Sequence, residues 1–85
     1  MKKVDIYLTQ WCPYCNRARM LLDQKGVNYN AIDVDAEPAQ RKLMLERSGG
    51  ARTVPQIFIG ETHVGGCDDL FALERQGKLD SLLAN

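Results

Sequence analysis

Residues 4–26 read VDIYLTQWCPYCNRARMLLDQKG, and this stretch decides the fold. Val4 to Leu8 is rich in Val, Ile and Tyr, which predicts a buried β-strand. Residues 14–25 contain neither Gly nor Pro and include several strong helix formers, and Gly26 stands where a helix can end in the left-handed conformation. The stretch therefore predicts a strand, a turn that contains two cysteines, and a helix.

The rest of the chain continues the alternation of strands and helices. Pro38 suits the first turn of a second helix, and Gly60-Glu61 suits the tight turn of a hairpin. The further predicted elements are strands at residues 29–34, 56–59 and 62–64 and helices at residues 38–48, 68–76 and 79–84. Strand, helix and strand at the front imply a right-handed parallel crossover, and the hairpin adds antiparallel strands. The order β-α-β-α-β-β-α-α predicts an α/β fold with a four-stranded mixed β-sheet flanked by helices.

Charge and cysteine content exclude several classes of protein. Eleven Lys and Arg balance eleven Asp and Glu, so the chain lacks the basic excess of general nucleic-acid or membrane-surface binding. The apolar run near the start is too short for a signal peptide or a bilayer span, so we expect a cytoplasmic protein with one domain over residues 1–85. Three cysteines without a secretory signal do not resemble a disulfide scaffold, and a cytosolic CxxC is catalytic or metal-binding.

Cys12 and Cys15 lie where the first helix is predicted to begin. The free backbone N–H groups and the dipole of a helix start stabilise an anion, so the pKa of Cys12 is expected below the free value of about 8.5. The thiolate is the species that attacks disulfides. Cys15 shares a helix face with Ala18 and Leu22, so it should be buried more deeply than an exposed Cys12. Cys12 is therefore the candidate nucleophile, and Cys15 is the candidate that resolves the mixed disulfide.

Two alternatives to a redox pair remain. The cysteines are inert, or they join a structural zinc site written C-x2-C…H-x3-C from Cys12, Cys15, His63 and Cys67. A helix start that contains Pro13 differs from the loose knuckle of such zinc sites, and His63 is explained as a polar residue of an edge strand. We therefore expect no metal site.

A second motif, Thr53-Val54-Pro55, precedes the third predicted strand. Proline cannot donate to a sheet and is expected where a strand begins. The motif is either an ordinary turn or a cis Val54-Pro55 bond that presents the Val54 backbone to an extended peptide.

A third motif, Gly65-Gly66-Cys67-Asp68-Asp69, combines two glycines with a helix start. The helix N-terminus can bind a carboxylate, and Asp68 can pair with an ammonium group, which together suit an amino-acid zwitterion. Alternatively, Asp68 caps the helix, a role compatible with the first.

Cys12-Pro13-Tyr14-Cys15 is the first of three motifs, and together they resemble those of dithiol glutaredoxins of the small bacterial type, in the same order and over nearly the whole chain. The resemblance implies a thioredoxin-like fold with a cis proline at Pro55, a nucleophilic Cys12 and a resolving Cys15. It implies reduction of protein disulfides and of glutathionylated proteins, with glutathione as a co-substrate and no tightly bound cofactor. Electrons would come from NADPH through glutathione reductase. A monomer is expected.

The resemblance also implies where glutathione binds. Tyr14 would flank the tripeptide, Thr53 and Val54 would pair with its cysteinyl backbone, and Cys67 would contribute its backbone N–H instead of its thiol. Arg41 resembles the basic residue that meets the glycine carboxylate. The implied glutathione-binding residues are Tyr14, Arg41, Thr53, Val54, Pro55, Gly66, Cys67 and Asp68.

Two residues depart from the family pattern. Thr9 stands where many glutaredoxins carry a Lys, and Trp11 precedes the first cysteine as in thioredoxins. These departures favour one alternative, a reductant served by thioredoxin reductase. A separate alternative is a dimer that holds an iron–sulfur cluster through Cys12 and glutathione. Pro13 stiffens the loop and argues against the cluster.

Overall fold

The computed structural model describes residues 1–84 and has the predicted order of elements. They are β1 (Val4–Leu8), α1 (Pro13–Gln24), β2 (Tyr29–Asp33), α2 (Pro38–Ser48), β3 (Gln56–Ile59), β4 (Thr62–Gly65), α3 (Cys67–Arg75) and α4 (Leu79–Leu83). The strands form one sheet in the order β2-β1-β3-β4. β1 is parallel to β2 and antiparallel to β3, and β3 is antiparallel to β4. The predicted mixed sheet is confirmed.

The central strand β1 supplies side chains to both faces of the sheet, which explains why all five of its residues are buried. Ile6 packs in a core cluster with residues of α1, α3 and α4, whereas Tyr7 packs in a second cluster with Met44 of α2. Successive side chains of a strand point to opposite faces, so helices cover the sheet on both sides. Val4, Ile6 and Leu8 therefore face one side of the sheet, and Asp5 and Tyr7 face the other, where both accept hydrogen bonds from Arg47 of α2.

Three chain segments meet at one end of this sheet. Leu8 ends β1 there, and the antiparallel register sets Tyr7 opposite Gln56, the first residue of β3. Ile57 lies opposite Gly65, the last residue of β4. The start of α1, the segment before β3 and the turn between β4 and α3 therefore occupy the same edge, which brings the three sequence motifs together.

Helix boundaries agree with the predictions to within one or two residues. The third helix begins at Cys67 instead of Asp68, because Gly66 takes the position before the helix with an extended backbone. No helix within residues 1–84 combines the length and apolar character needed to cross a membrane.

Candidate active site

The redox pair occupies the first turn of α1. Cys12 has an extended backbone at the position before the helix, Pro13 is the first helical residue, and the Cys15 N–H donates to Cys12 Sγ at 3.1 Å. The two cysteines are joined in a disulfide. The sulfur of Cys12 thus caps the helix, in the manner that a serine or aspartate oxygen does elsewhere. Once the disulfide opens, the same N–H is placed to stabilise a thiolate.

The burial of the pair corrects one expectation. Cys15 is 1% exposed and is the more deeply buried of the two, as predicted. Cys12 was expected to stand exposed, but only 9% of its surface is accessible. Its sulfur turns back onto its own helix and lies 3.9 Å from the carbonyl oxygen of Val54, so the polypeptide covers most of it.

The segment before β3 contains a cis peptide bond between Val54 and Pro55, which the family resemblance implies. The Thr53 carbonyl already accepts a hydrogen bond from Gln56 Nε2 at 3.0 Å. The Val54 carbonyl faces the Cys12 sulfur. A molecule bonded to Cys12 would therefore lie beside the backbone of Val54.

The turn between β4 and α3 depends on Gly65. Its φ is +114°, and a Cβ atom there would collide with the carboxylate of Asp69. That carboxylate accepts a hydrogen bond from the Gly66 N–H at 3.0 Å. Asp69, the third residue of α3, thus caps the helix through a capping-box bond to the residue before it, and the alternative that Asp68 caps the helix is wrong. The carboxylate of Asp68 is exposed and forms no hydrogen bond or ion pair with residues 1–84.

Cys67, the first residue of α3, is buried with a free thiol. Burial raises the pKa of this thiol, and the negative charge of Asp68 raises it further, while Arg17 opposes both effects. A buried thiol that resists ionisation is a poor nucleophile at neutral pH.

A groove of about 400 Å³ runs from α1 across the cis proline to the start of α3. It is lined by Tyr14, Ala51, Thr53, Val54, Pro55, Gln56, His63, Gly65, Gly66, Cys67, Asp68 and Asp69. The structure thus assembles all the predicted glutathione-binding residues except Arg41 around one surface. Arg41 is partly exposed on α2 and forms an ion pair with Asp35 at 3.0 Å, so its contact with glutathione stays a prediction.

Two aromatic side chains stand exposed near the redox pair. Trp11 is 88% exposed and lies outside the groove lining, whereas Tyr14 is 58% exposed and forms part of the lining. The expectation of an exposed aromatic residue before Cys12 is confirmed.

Gln56 and His63 line the groove, a placement that the sequence did not predict for either residue. His63 lies on the edge strand β4 as predicted, but its Nε2 also lies 2.6 Å from Gln56 Oε1. A polar residue in the otherwise apolar strand Gln56–Ile59 was the available signal. Its partner depends on the register of two strands, which the sequence does not state. Within residues 1–84, no three His, Cys, Asp or Glu side chains are grouped to hold a metal, so the set of the zinc alternative is not assembled.

Comparison with known proteins agrees with this geometry. The glutaredoxin family model matches residues 4–64, more than half of the chain. The chain is 61% identical over 84 residues to a glutaredoxin of Pseudomonas aeruginosa, with 99% of both chains covered. It is 52% identical over 83 residues to glutaredoxin 3 of Escherichia coli strain K12, covering 98% of this chain and 99% of that protein.

Among solved structures, the crystal structure of a buckwheat glutaredoxin–glutathione complex matches with a TM-score of 0.87 and 38% identity. The match covers 96% of this chain and 76% of the buckwheat chain. The fold is therefore the thioredoxin-like fold of that structure. The chain belongs to the glutaredoxin family, whose members are glutathione-dependent thiol–disulfide oxidoreductases.

Proposed function

We propose that this protein reduces protein disulfides and glutathionyl mixed disulfides through Cys12 as nucleophile and Cys15 as resolving thiol. The observation that carries the proposal is the hydrogen bond of 3.1 Å from the Cys15 N–H to Cys12 Sγ, beside a groove of peptide dimensions. A sulfur that accepts a helix N-terminal N–H is stabilised as the thiolate that attacks disulfides.

With a protein disulfide, the reduced enzyme supplies both electrons. The Cys12 thiolate attacks one substrate sulfur, the substrate S–S bond breaks, and the departing thiolate takes a proton. Cys15 then loses its proton and attacks the Cys12 sulfur, which releases the second substrate thiol and forms the Cys12–Cys15 disulfide seen here. Because both thiols lie in one helical turn, this second step is intramolecular. Two glutathione molecules reduce the disulfide again and leave as glutathione disulfide.

With a glutathionylated protein, Cys15 is not required. The Cys12 thiolate attacks the glutathione sulfur, the protein thiol leaves, and the glutathionyl group remains on Cys12. A second glutathione thiolate attacks that sulfur, which releases glutathione disulfide and regenerates the Cys12 thiolate.

Glutathione is proposed to lie along the groove while it is bonded to Cys12. Its cysteinyl backbone would run beside Val54, whose carbonyl lies 3.9 Å from Cys12 Sγ. Its γ-glutamyl ammonium would pair with the exposed Asp68, and its γ-glutamyl carboxylate would meet the backbone N–H of Cys67 at the start of α3. Tyr14 would flank the tripeptide, and Arg41 would reach the glycine carboxylate after release of Asp35. The related buckwheat structure, solved as a glutathione complex, supports this proposal.

We further propose that residues 1–85 act as one domain and as a monomer in the cytoplasm. Glutathione keeps thiols reduced in that compartment and is therefore available as the reductant. No cofactor is required by the two exchange routes.

The test is the variant Cys15→Ser, assayed with glutathione, glutathione reductase and NADPH. Reduction of a glutathionylated peptide should persist at a rate within about threefold of the wild type, because this route uses only Cys12. Reduction of a protein disulfide should fall to background. Loss of both activities, or retention of both, would contradict the proposal, and so would NADPH oxidation that requires thioredoxin reductase and not glutathione.

A further inference from the structure

Gln56 is a buried polar residue at the point where β3 leaves the cis-proline segment. Only 5% of its surface is exposed, and the three residues that follow it in β3 are apolar and buried. A buried carboxamide is costly unless its hydrogen bonds are made. The partners of this side chain therefore indicate its role.

Both ends of the Gln56 carboxamide are bonded. Nε2 donates to the Thr53 carbonyl at 3.0 Å and approaches Thr53 Oγ1 at 3.4 Å. Oε1 lies 2.6 Å from His63 Nε2. The amide nitrogen of Gln56 must donate to the Thr53 carbonyl, so the atom that faces His63 is the amide oxygen. Because this oxygen can only accept, His63 Nε2 carries the proton and donates to it.

His63 is itself held in place by the sheet. Its ring stacks on Phe58 with centroids 4.8 Å apart and an angle of 24° between the planes. Phe58 is buried in the core cluster between the sheet and α2. A continuous series of contacts thus leads from the core through His63 and Gln56 to the backbone of Thr53.

We propose that Gln56 and His63 are positioning residues that hold the Thr53–Pro55 segment in the conformation that receives the glutathione backbone. This inference rests on the proposed function, in which glutathione lies beside Val54. The carboxamide of Gln56 takes the Thr53 carbonyl, and His63 prevents the carboxamide from rotating away. Neither residue is a catalytic residue, because neither touches the sulfur atoms.

The contact series is expected to act on substrate binding, because it does not include the N–H that stabilises the nucleophile. The thiolate of Cys12 is stabilised by the Cys15 N–H at the start of α1, a separate element from β3 and β4. Loosening the Thr53–Pro55 segment should therefore raise KM for a glutathionylated substrate while kcat and the intrinsic reactivity of Cys12 are kept.

Two substitutions of His63 separate its hydrogen bond from its ring. His63→Phe keeps an aromatic ring to stack on Phe58 and loses the N–H donor, whereas His63→Gln keeps a donor and loses the ring. We expect His63→Phe to raise KM for a glutathionylated peptide about two- to tenfold, the range for one lost hydrogen bond. His63→Gln should stay within about twofold of the wild type. The pH midpoint for alkylation of reduced Cys12 by iodoacetamide should be the same in all three proteins, and the rate should not fall, because the Cys15 N–H is kept and the Val54 carbonyl that covers the sulfur is at most loosened.

An unchanged KM in His63→Phe, an equal increase in His63→Gln, or slower alkylation of Cys12 would overturn the inference. Gln56→Met provides a second test, because it breaks the same contact series one step nearer Thr53. The double variant should raise KM no more than Gln56→Met alone, and independent multiplication of the two effects would also overturn the inference.

A binding-independent measurement separates this inference from the proposed function. The backbone amide NMR signals of Thr53 and Val54 should shift in His63→Phe and return towards their wild-type positions in His63→Gln, without glutathione present. Signals that do not move overturn the positioning role. A wild-type enzyme that fails to saturate with a glutathionylated peptide overturns the proposed function instead.

Discussion

Two helices of this protein have a cysteine at or just before their first residue, and the sulfur atoms at the two helix starts have different surroundings. At α1, Cys12 precedes the first helical residue, and its sulfur accepts the Cys15 N–H. At α3, Cys67 is the first helical residue, its thiol is buried in the core, and the cap is supplied by Asp69. Burial raises the pKa of the Cys67 thiol.

The comparison shows that closeness to a helix N-terminus does not by itself activate a thiol. The side chain before the helix can turn back onto the free N–H groups, as Cys12 does, whereas the side chain of Cys67 enters the apolar interior. Desolvation then opposes the charged form. We therefore expect the position of a cysteine at a helix start to separate a reactive sulfur from an inert one.

The largest expected effect of the difference between Cys12 and Cys67 is on activity, and it is tested by replacing each cysteine with serine. Cys12→Ser should reduce both exchange activities to background, because a serine hydroxyl does not ionise near neutral pH. Cys67→Ser should keep activity within about twofold of the wild type, since the proposed role of residue 67 belongs to its backbone N–H. The coupled assay with NADPH measures both. An inactive but folded Cys67→Ser would contradict the contrast.

The pH dependence of alkylation sharpens the same contrast. Thiolates react with iodoacetamide and thiols do not, so the rate at each cysteine rises with pH through its pKa. For Cys67, whose pKa is raised, the rise should lie above the range of an ordinary thiol. In reduced protein, Cys12 should reach its full rate at lower pH than a free cysteine. Mass spectrometry of labelled peptides follows both sites, and coincident profiles would refute the distinction.

Alanine substitutions at the neighbouring Gly65 and Gly66 test which backbone positions the start of α3 requires to be glycine. A Cβ at Gly65, where φ is +114°, would collide with the Asp69 carboxylate and disturb the cap, so Gly65→Ala should lower the free energy of unfolding by about 1–3 kcal/mol. At Gly66, φ is −92° and a Cβ would meet the Pro55 carbonyl at an ordinary 3.5 Å. Gly66→Ala should therefore cost less than about 1 kcal/mol. Denaturant unfolding measures both, and equal losses would contradict the account.

The smallest expected effects separate the two aspartates of α3. Asp68→Asn removes the charge proposed to meet the glutathione ammonium, so KM should rise about two- to fivefold with little change in Tm. Asp69→Asn weakens the cap of α3 and should lower Tm by roughly 2–6 °C with a smaller effect on KM. Steady-state kinetics and thermal unfolding on both variants check this division. The reverse pattern would exchange the two roles.

Most of the fold could be predicted from local patterns. The segment Val4–Leu8, rich in Val, Ile and Tyr, predicts a strand, and the uninterrupted helix formers of α1 predict a helix. Gly26, with φ of +70°, follows the last turn of α1 as expected. The three motifs were recognised because their residues are adjacent in sequence. Contacts between residues distant in sequence could not be predicted in this way. The hydrogen bond between Gln56 and His63 was not expected, and Cys12 was expected to be exposed although the Val54 carbonyl lies against its sulfur.

The sequence alone determined the order of strands and helices, the location of the two redox cysteines at a helix start, and the family resemblance. These features depend on neighbouring residues, whose propensities and spacing are visible in a linear chain. The tertiary structure decided the burial of Cys12, the choice of Asp69 over Asp68 as the cap of α3, and the hydrogen-bonded partners of Gln56. Each of these depends on strand register or on the direction of a side chain, and only the packed sheet sets those distances.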